Sequence, residues 1–166
     1  LINILKQGNQ EEKIAAVTSL ANIREKRSVL SLIDALIDEN WHVRKTASVS
    51  LMKMGDMVVP ELVSRLETDN EDLFFWSTKI LGELRAVDAV IPLINILQKV
   101  NDNEKKELII KILGKIGDES SVDHLIAKLG DDSWTMRKYA AESLLSIGED
   151  GINKLIVNYD SGNADM

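Results

Sequence analysis

Apolar residues recur along this chain at the spacing of amphipathic helices, in two interleaved patterns rather than one. The first is a ten-residue stretch that appears as AVTSLANIRE from Ala16, ASVSLMKMGD from Ala47, STKILGELRA from Ser77, IIKILGKIGD from Ile109 and AAESLLSIGE from Ala140. Its starts lie 31, 30, 32 and 31 residues apart. The second is LINIL at Leu1, LIDAL at Leu32, LVSRL at Leu62, LINIL at Leu93, LIAKL at Leu125 and LIVNY at Leu155. Two patterns on one period of about 31 residues mark a stacked array whose unit is a helix pair, since one pair alone cannot bury its apolar face. No stretch alternates with period two, so no strand is predicted.

The predicted array is all-α and forms a single domain over residues 1–159. Its units fall at about 1–24, 27–55, 57–85, 87–117 and 119–148, followed by a lone helix at 149–159 and a polar C-terminal tail at 160–166. The opening LINILKQG reads as the second half of a helix, and the next helix is expected to bury Ala16, Leu20 and Ile23 on one face. Asp, Asn and Gly cluster between the helices, as in QGNQ, DEN, TDN and GDD. Connections this short join antiparallel neighbours. The connection VNDNE carries one more residue than its counterparts and accounts for the 32-residue spacing. Pro60 and Pro92 stand in the first turns of their helices, where a missing N–H costs little.

Composition narrows the function classes. A net charge of −7 over 166 residues argues against a broad phosphate-binding surface, and so against nucleic acid as a partner. Without cysteine there is no disulfide framework, thiolate zinc site or thiol nucleophile. Neither a signal peptide nor an uninterrupted apolar run of about 18 residues occurs, so no membrane partner and a cytoplasmic location are expected.

The second unit carries Leu32, Ile33, Leu36, Asp38, Val43, Arg44, Ala47, Leu51, Met54, Gly55 and Asp56. The fifth carries Leu125, Ile126, Leu129, Asp131, Met136, Arg137, Ala140, Ala141, Leu144, Ile147 and Gly148. On these residues the chain resembles the HEAT-like repeat of the phycobilisome-lyase type, built on L-I-x-x-L-x-D followed by V-R-x-x-A-A-x-A-L-G-x-I-G-D. The resemblance implies a right-handed α-solenoid, a superhelix of about five HEAT-like helix pairs plus a terminal helix, with the second helices lining a concave face. It also implies a ladder of Asp–Arg pairs along the stack. The family's arginine is replaced by Lys13, Phe74 and Lys106 in the first, third and fourth units, so the ladder should be patchy. Arg44 is expected to reach the carboxylate of Asp38 or Asp69.

No catalytic, cofactor-binding or metal constellation emerges. His42 and His124 lie in different units, neither is followed by Glu, and neither belongs to H-E-x-x-H. The His–Glu pairs of deoxyhypusine hydroxylase, which resembles this architecture, are therefore missing. Both histidines read as solvated helix residues. Acidic pairs such as Asp38–Glu39, Asp131–Asp132 and Glu149–Asp150 stand at helix junctions, where carboxylates satisfy exposed N–H groups. No EF-hand loop and no phosphate-cradling glycine loop occurs.

What the second helices offer is a surface. With Leu51 pointing inward, a wheel at 100° per residue puts Lys45, Val49 and their repeat equivalents on the far side. In that stripe Trp76, Leu108 and Tyr139 share one repeat position, with Phe75 beside the first and Lys79, Lys111, Lys138 and Glu142 around them. Aromatics make up 4% of the chain, so their place on a solvent face predicts anchors for another protein or a peptide segment. Trp41 and Trp134, at the helix starts, are predicted as wedges between adjacent units. The expected function is a non-catalytic scaffold or adaptor. The alternatives are an accessory or catalytic subunit of a bilin lyase, holding a tetrapyrrole on the aromatic row, and single-stranded nucleic-acid binding by stacking.

Overall fold

The computed structural model describes residues 1–163, with side chains for all of these except 150 and 158–163. The chain is an all-α repeat fold, and it divides into two compact units, residues 1–84 and residues 85 onward. Unit 1 holds α1 (Ile2–Gln7), α2 (Gln10–Ile23), α3 (Lys26–Asp34), α4 (Trp41–Met54), α5 (Val59–Val63) and α6 (Glu71–Glu83). Unit 2 holds α7 (Val90–Lys99), α8 (Asn103–Ile116), α9 (Val122–Lys128), α10 (Trp134–Ile147) and α11 (Glu149–Asn163). The terminal helix thus takes in 160–163, which the sequence assigns to the tail; 164–166 lie outside the described residues.

The second helix of each pair is the regular one. α2, α4, α8 and α10 each run 14 residues and α6 runs 13, whereas the first helices are shorter, and α3, α5, α7 and α9 each adjoin a 3₁₀ turn on one side. Both ends of the second helices are encoded at fixed repeat positions. Asn9, Asn40, Asn70, Asp102 and Ser133 stand at their N-caps, and all but Ser133 accept a backbone N–H through the side chain. At the other end the chain turns with positive φ at Arg24 (53°), Gly55 (67°), Arg85 (50°), Gly117 (79°) and Gly148 (90°), again one per repeat. Glycine is required at two of these, because Gly55 and Gly148 pair that φ with ψ near −145° and −143°, a region closed to side chains.

The cores follow the two sequence patterns. In unit 1 Leu32, Leu36, Leu62 and Leu66 from the second pattern and Val17, Leu51 and Met54 from the first are all buried. In unit 2 Leu93, Leu97 and Leu125 meet Ile109, Ile110, Leu113 and Leu144. Each fully buried aliphatic side chain contributes about 1.5–3 kcal/mol relative to exposure. Ile23, expected on the buried face of α2, is 45% exposed. It is the last residue of α2, and the chain leaves the helix there through the left-handed Arg24.

The expected Asp–Arg ladder takes a different form. Arg44 Nη1 donates to the backbone carbonyls of Asp38 (2.8 Å) and Glu39 (3.2 Å), and its Nε lies 3.6 Å from the Asp72 carboxylate, so neither the Asp38 nor the Asp69 carboxylate is its partner. Arg137 repeats the arrangement on the carbonyls of Asp131 (2.7 Å) and Asp132 (2.9 Å). The arginine thus staples the loop before its own helix, since the chain-reversing carbonyls there have no helical partner. The carboxylate rung falls to lysine instead: Lys13 Nζ reaches Asp38 Oδ2 at 2.7 Å, while the other oxygen of Asp38 accepts the Asn40 N–H at 2.9 Å. In unit 2 the Ser133 N–H donates to Asp131, Lys128 approaches it at 3.2 Å, and the charge of Lys106 acts on it from further off. These contacts hold the Asp131 carboxyl below its ordinary range, although burial pulls the other way.

Candidate protein interface on the second helices

The stripe predicted from the helical wheel divides by depth. Lys45, Val49, Phe75, Lys79, Lys111, Lys138 and Glu142 are exposed, and Leu108 and Tyr139 are half-buried. Trp76 is buried, with 8% of its surface accessible, which removes it from the expected exposed row. The repeat position it shares with Leu108 and Tyr139 is a shoulder of the helix rather than its crest, as half-buried Thr46 at the same place also shows. An indole there is drawn against its surroundings, and α6 buries residues on nearly every side. The opposite correction applies to Trp41 and Trp134, which are 48% and 64% exposed instead of wedged between units. Helical side chains lean toward the N-terminus, so a ring on the first residue of a helix projects past the packed layer.

The structure sets lysines against Trp41, Phe75, Trp76, Trp134 and Tyr139. In unit 1 Lys45 Nζ lies 4.8 Å from the Trp41 ring centroid, and His42 meets Trp41 edge-on at 5.2 Å. Lys79 stands over both Phe75 (5.5 Å) and Trp76 (5.6 Å), which meet each other edge-on. In unit 2 Lys138 lies 5.5 Å from Trp134 and 5.6 Å from Tyr139, and Lys111, from the neighbouring second helix, lies 3.5 Å from Tyr139. Lys138 also approaches Glu142 at 3.8 Å, one turn on. The signal was present in sequence as Trp with Lys four residues later, at Trp41/Lys45 and Trp134/Lys138, an i,i+4 pair on one helix face. Each such contact contributes about 0.5–1 kcal/mol at an exposed site, a bias toward the ring orientation that makes it. The result in each unit is a set of aromatic rings with lysine ammonium groups against them and mixed charge around them.

No group of His, Asp and Glu side chains suited to a metal ion occurs among the described residues. No helix among them is long and apolar enough to cross a membrane.

A search of curated proteins finds no match to the sequence. Among solved structures the chain is similar to the complex of CpcE and CpcF of phycocyanin lyase from Nostoc sp. PCC7120. The TM-score is 0.61 and the identity 22%, over 89% of this chain and 64% of that one. It is also similar to two engineered proteins. One aligns with a TM-score of 0.57 and 19% identity, over 99% of this chain and 84% of that one. The other aligns with a TM-score of 0.55 and 18% identity, over 99% and 51%. The chain therefore spans just under two thirds of the lyase chain it matches. These likenesses concern the fold. The family model for HEAT repeats matches residues 1–82 and 90–165, and with nearly all of its length so matched the chain belongs to the HEAT repeat family.

Proposed function

We propose that this protein is a non-catalytic interaction scaffold that binds another protein, or a peptide segment of one, through the exposed face of its second helices. The observation that carries the reading is the lysine-braced aromatic surface of unit 2, where Trp134 is 64% exposed and Lys111 and Lys138 both stand against Tyr139. A ring biased toward one orientation by a neighbouring lysine loses less rotamer freedom when a partner covers it, so more of its burial goes into affinity. Mixed charge around it sets register rather than attraction to one sign. The partner fitting this surface is an amphipathic helix or extended segment with an apolar anchor between charges. The nearest alternative, a bilin lyase subunit, is supported by likeness in fold to the phycocyanin lyase complex. The aromatic row once expected to hold a tetrapyrrole has lost Trp76 to the interior.

The test is capture of partners from the source cell with the intact chain and with Trp134→Ala, followed by titration of the purified partner. The expected loss is about 2 kcal/mol in binding with thermal stability unchanged, because an exposed ring has few native contacts to lose. Equal binding by both chains, or a shifted bilin absorbance on mixing with a free tetrapyrrole, would overturn the scaffold reading.

A further inference from the structure

Two grooves, one in each unit, occupy the same place in the repeat. The motif LINIL at Leu1 and at Leu93 aligns Ile2 and Leu5 with Ile94 and Leu97, and these form the apolar floor of both. The opposite wall comes from the next first helix, where LIDAL at Leu32 aligns with LIAKL at Leu125. In unit 1 that wall presents Ser31, Asp34 and Ala35, and the groove is a cleft of about 110 Å³. In unit 2 the same three positions hold His124, Ala127 and Lys128, and the cavity grows to about 290 Å³. Its charge has reversed. An acidic wall has become a cationic one, in a protein whose overall charge is −7.

The enlargement has a source in the chain. The connection from α1 to α2 is Gly8-Asn9, whereas that from α7 to α8 is Val100-Asn101-Asp102, and the longer loop lines the cavity with Val100 and Asn101. The rung of the ladder changes with it. Lys13 in unit 1 closes on Asp38 at 2.7 Å. Its repeat equivalent, Lys106, instead lines the cavity, and Lys128 takes the carboxylate of Asp131 at 3.2 Å. The site therefore holds two ammonium groups against one carboxylate, with His124 and the amides of Gln98 and Asn101 as further hydrogen-bonding groups above an apolar floor.

We infer that this cavity of unit 2 binds a small organic anion, with the carboxylate or phosphate group held between Lys106, Lys128 and His124 and an apolar body lying on Ile94 and Leu97. The volume is at the lower end of the range for small-molecule sites, which suits a body of one ring or a short chain. A positive surplus inside a concave wall of low dielectric attracts an anion more strongly than the same charges on an open surface. The cavity lies among the first helices and the start of α8, so its occupation is independent of the interface on the second helices.

The experiment is titration of the intact protein with phenyl phosphate, benzoate and inorganic phosphate, followed by calorimetry or amide chemical shifts. Either organic anion should bind saturably with Kd of about 1 mM or tighter, and about tenfold more tightly than inorganic phosphate. The two organic probes separate a phosphate site from a carboxylate site. Lys106→Met should weaken binding about tenfold, and His124→Ser with Lys128→Ala, which installs the unit 1 residues at two of the three wall positions, should abolish it. Lys53→Met, a lysine of α4 in unit 1, controls for bulk charge, and the far-ultraviolet spectrum confirms that each variant is folded. Lack of saturation by every probe up to about 10 mM overturns the inference. So does binding that the three lining substitutions leave within about twofold of the parent, or inorganic phosphate bound as tightly as phenyl phosphate.

Discussion

The second helices of unit 2 pack through Gly114 and Ser143, whereas the same two repeat positions in unit 1 carry Ala21 and Ser50. A Cβ placed on Gly114 would stand 2.4 Å from the Cβ of Ser143, so α8 and α10 approach more closely than any side chain at that point would allow. The closeness brings the Ser143 hydroxyl within 2.9 Å of the Ile110 carbonyl, a buried hydrogen bond between helices. Unit 1 accommodates a methyl at the equivalent place. The glycine at this one position sets how closely α8 and α10 can pack.

The largest expected effect tests that contrast directly. Gly114→Val should destabilise the protein by about 3 kcal/mol, because the added carbons collide with α10 and separate the Ser143 hydroxyl from its acceptor. The reverse change in unit 1, Ala21→Gly, should cost no more than about 1 kcal/mol through helix propensity alone. Urea unfolding of the two variants decides. A smaller loss for Gly114→Val than for Ala21→Gly would show that the close packing is not selected by the glycine.

The rungs of the ladder offer a second, smaller contrast. Asp38→Ala removes a 2.7 Å bond to Lys13 between side chains that are 15% and 10% exposed, together with the acceptor for the Asn40 N–H, and should cost about 2 kcal/mol. Asp131→Ala should cost about 1 kcal/mol, since its partner Lys128 stands at 3.2 Å and both side chains are more open to water. The pH dependence has a definite sign at Asp131. Its carboxyl is held low by the Ser133 N–H first and by lysine charge second, so its contribution is present above the unfolded value of about 4. That contribution disappears as pH falls through the lower folded value. Asp131→Asn should therefore lower stability at neutral pH and flatten its decline in acid; an unchanged acid limb would remove Asp131 from that role.

The smallest effect concerns the helix ends. Arg85 holds φ of 50° where Gly55, Gly117 and Gly148 stand in the neighbouring repeats, a conformation that costs a side-chain-bearing residue about 1 kcal/mol. Arg85→Gly should raise stability by roughly 0.5–1 kcal/mol, partly offset by the freer unfolded chain. Arg24 is a poorer test, because its Nη2 donates to the Met54 carbonyl at 2.9 Å and would be missed. A loss of stability in Arg85→Gly would indicate that the arginine makes compensating contacts of its own.

Much of the fold was legible because repetition multiplies weak signals. A buried leucine at one position says little, but Leu32, Leu62, Leu93 and Leu125 on one period, with polar N-caps and a chain-reversing residue at fixed offsets, leave one architecture. The candidate surface was legible only by position. The wheel correctly assigned Lys45, Lys79 and Lys138 to the solvent face, yet it could not separate crest from shoulder, so Trp76 was expected outside and is inside. His124, read as a solvated residue, is half-buried in a cavity wall for a similar reason: a wheel describes one helix, and the cavity is made by three.

The sequence by itself determined the helix pairs, their period and the ends of the second helices, since these depend on local propensity, capping and the apolar stripe of each segment. Only the tertiary structure decided which partner each charge takes. Arg44 and Arg137 turn to backbone carbonyls, Lys13 takes the Asp38 rung, and Lys106 leaves it to Lys128, because long flexible side chains choose among acceptors within reach. Those choices are separated by small energies, and ångström-scale differences in how neighbouring helices pack settle them.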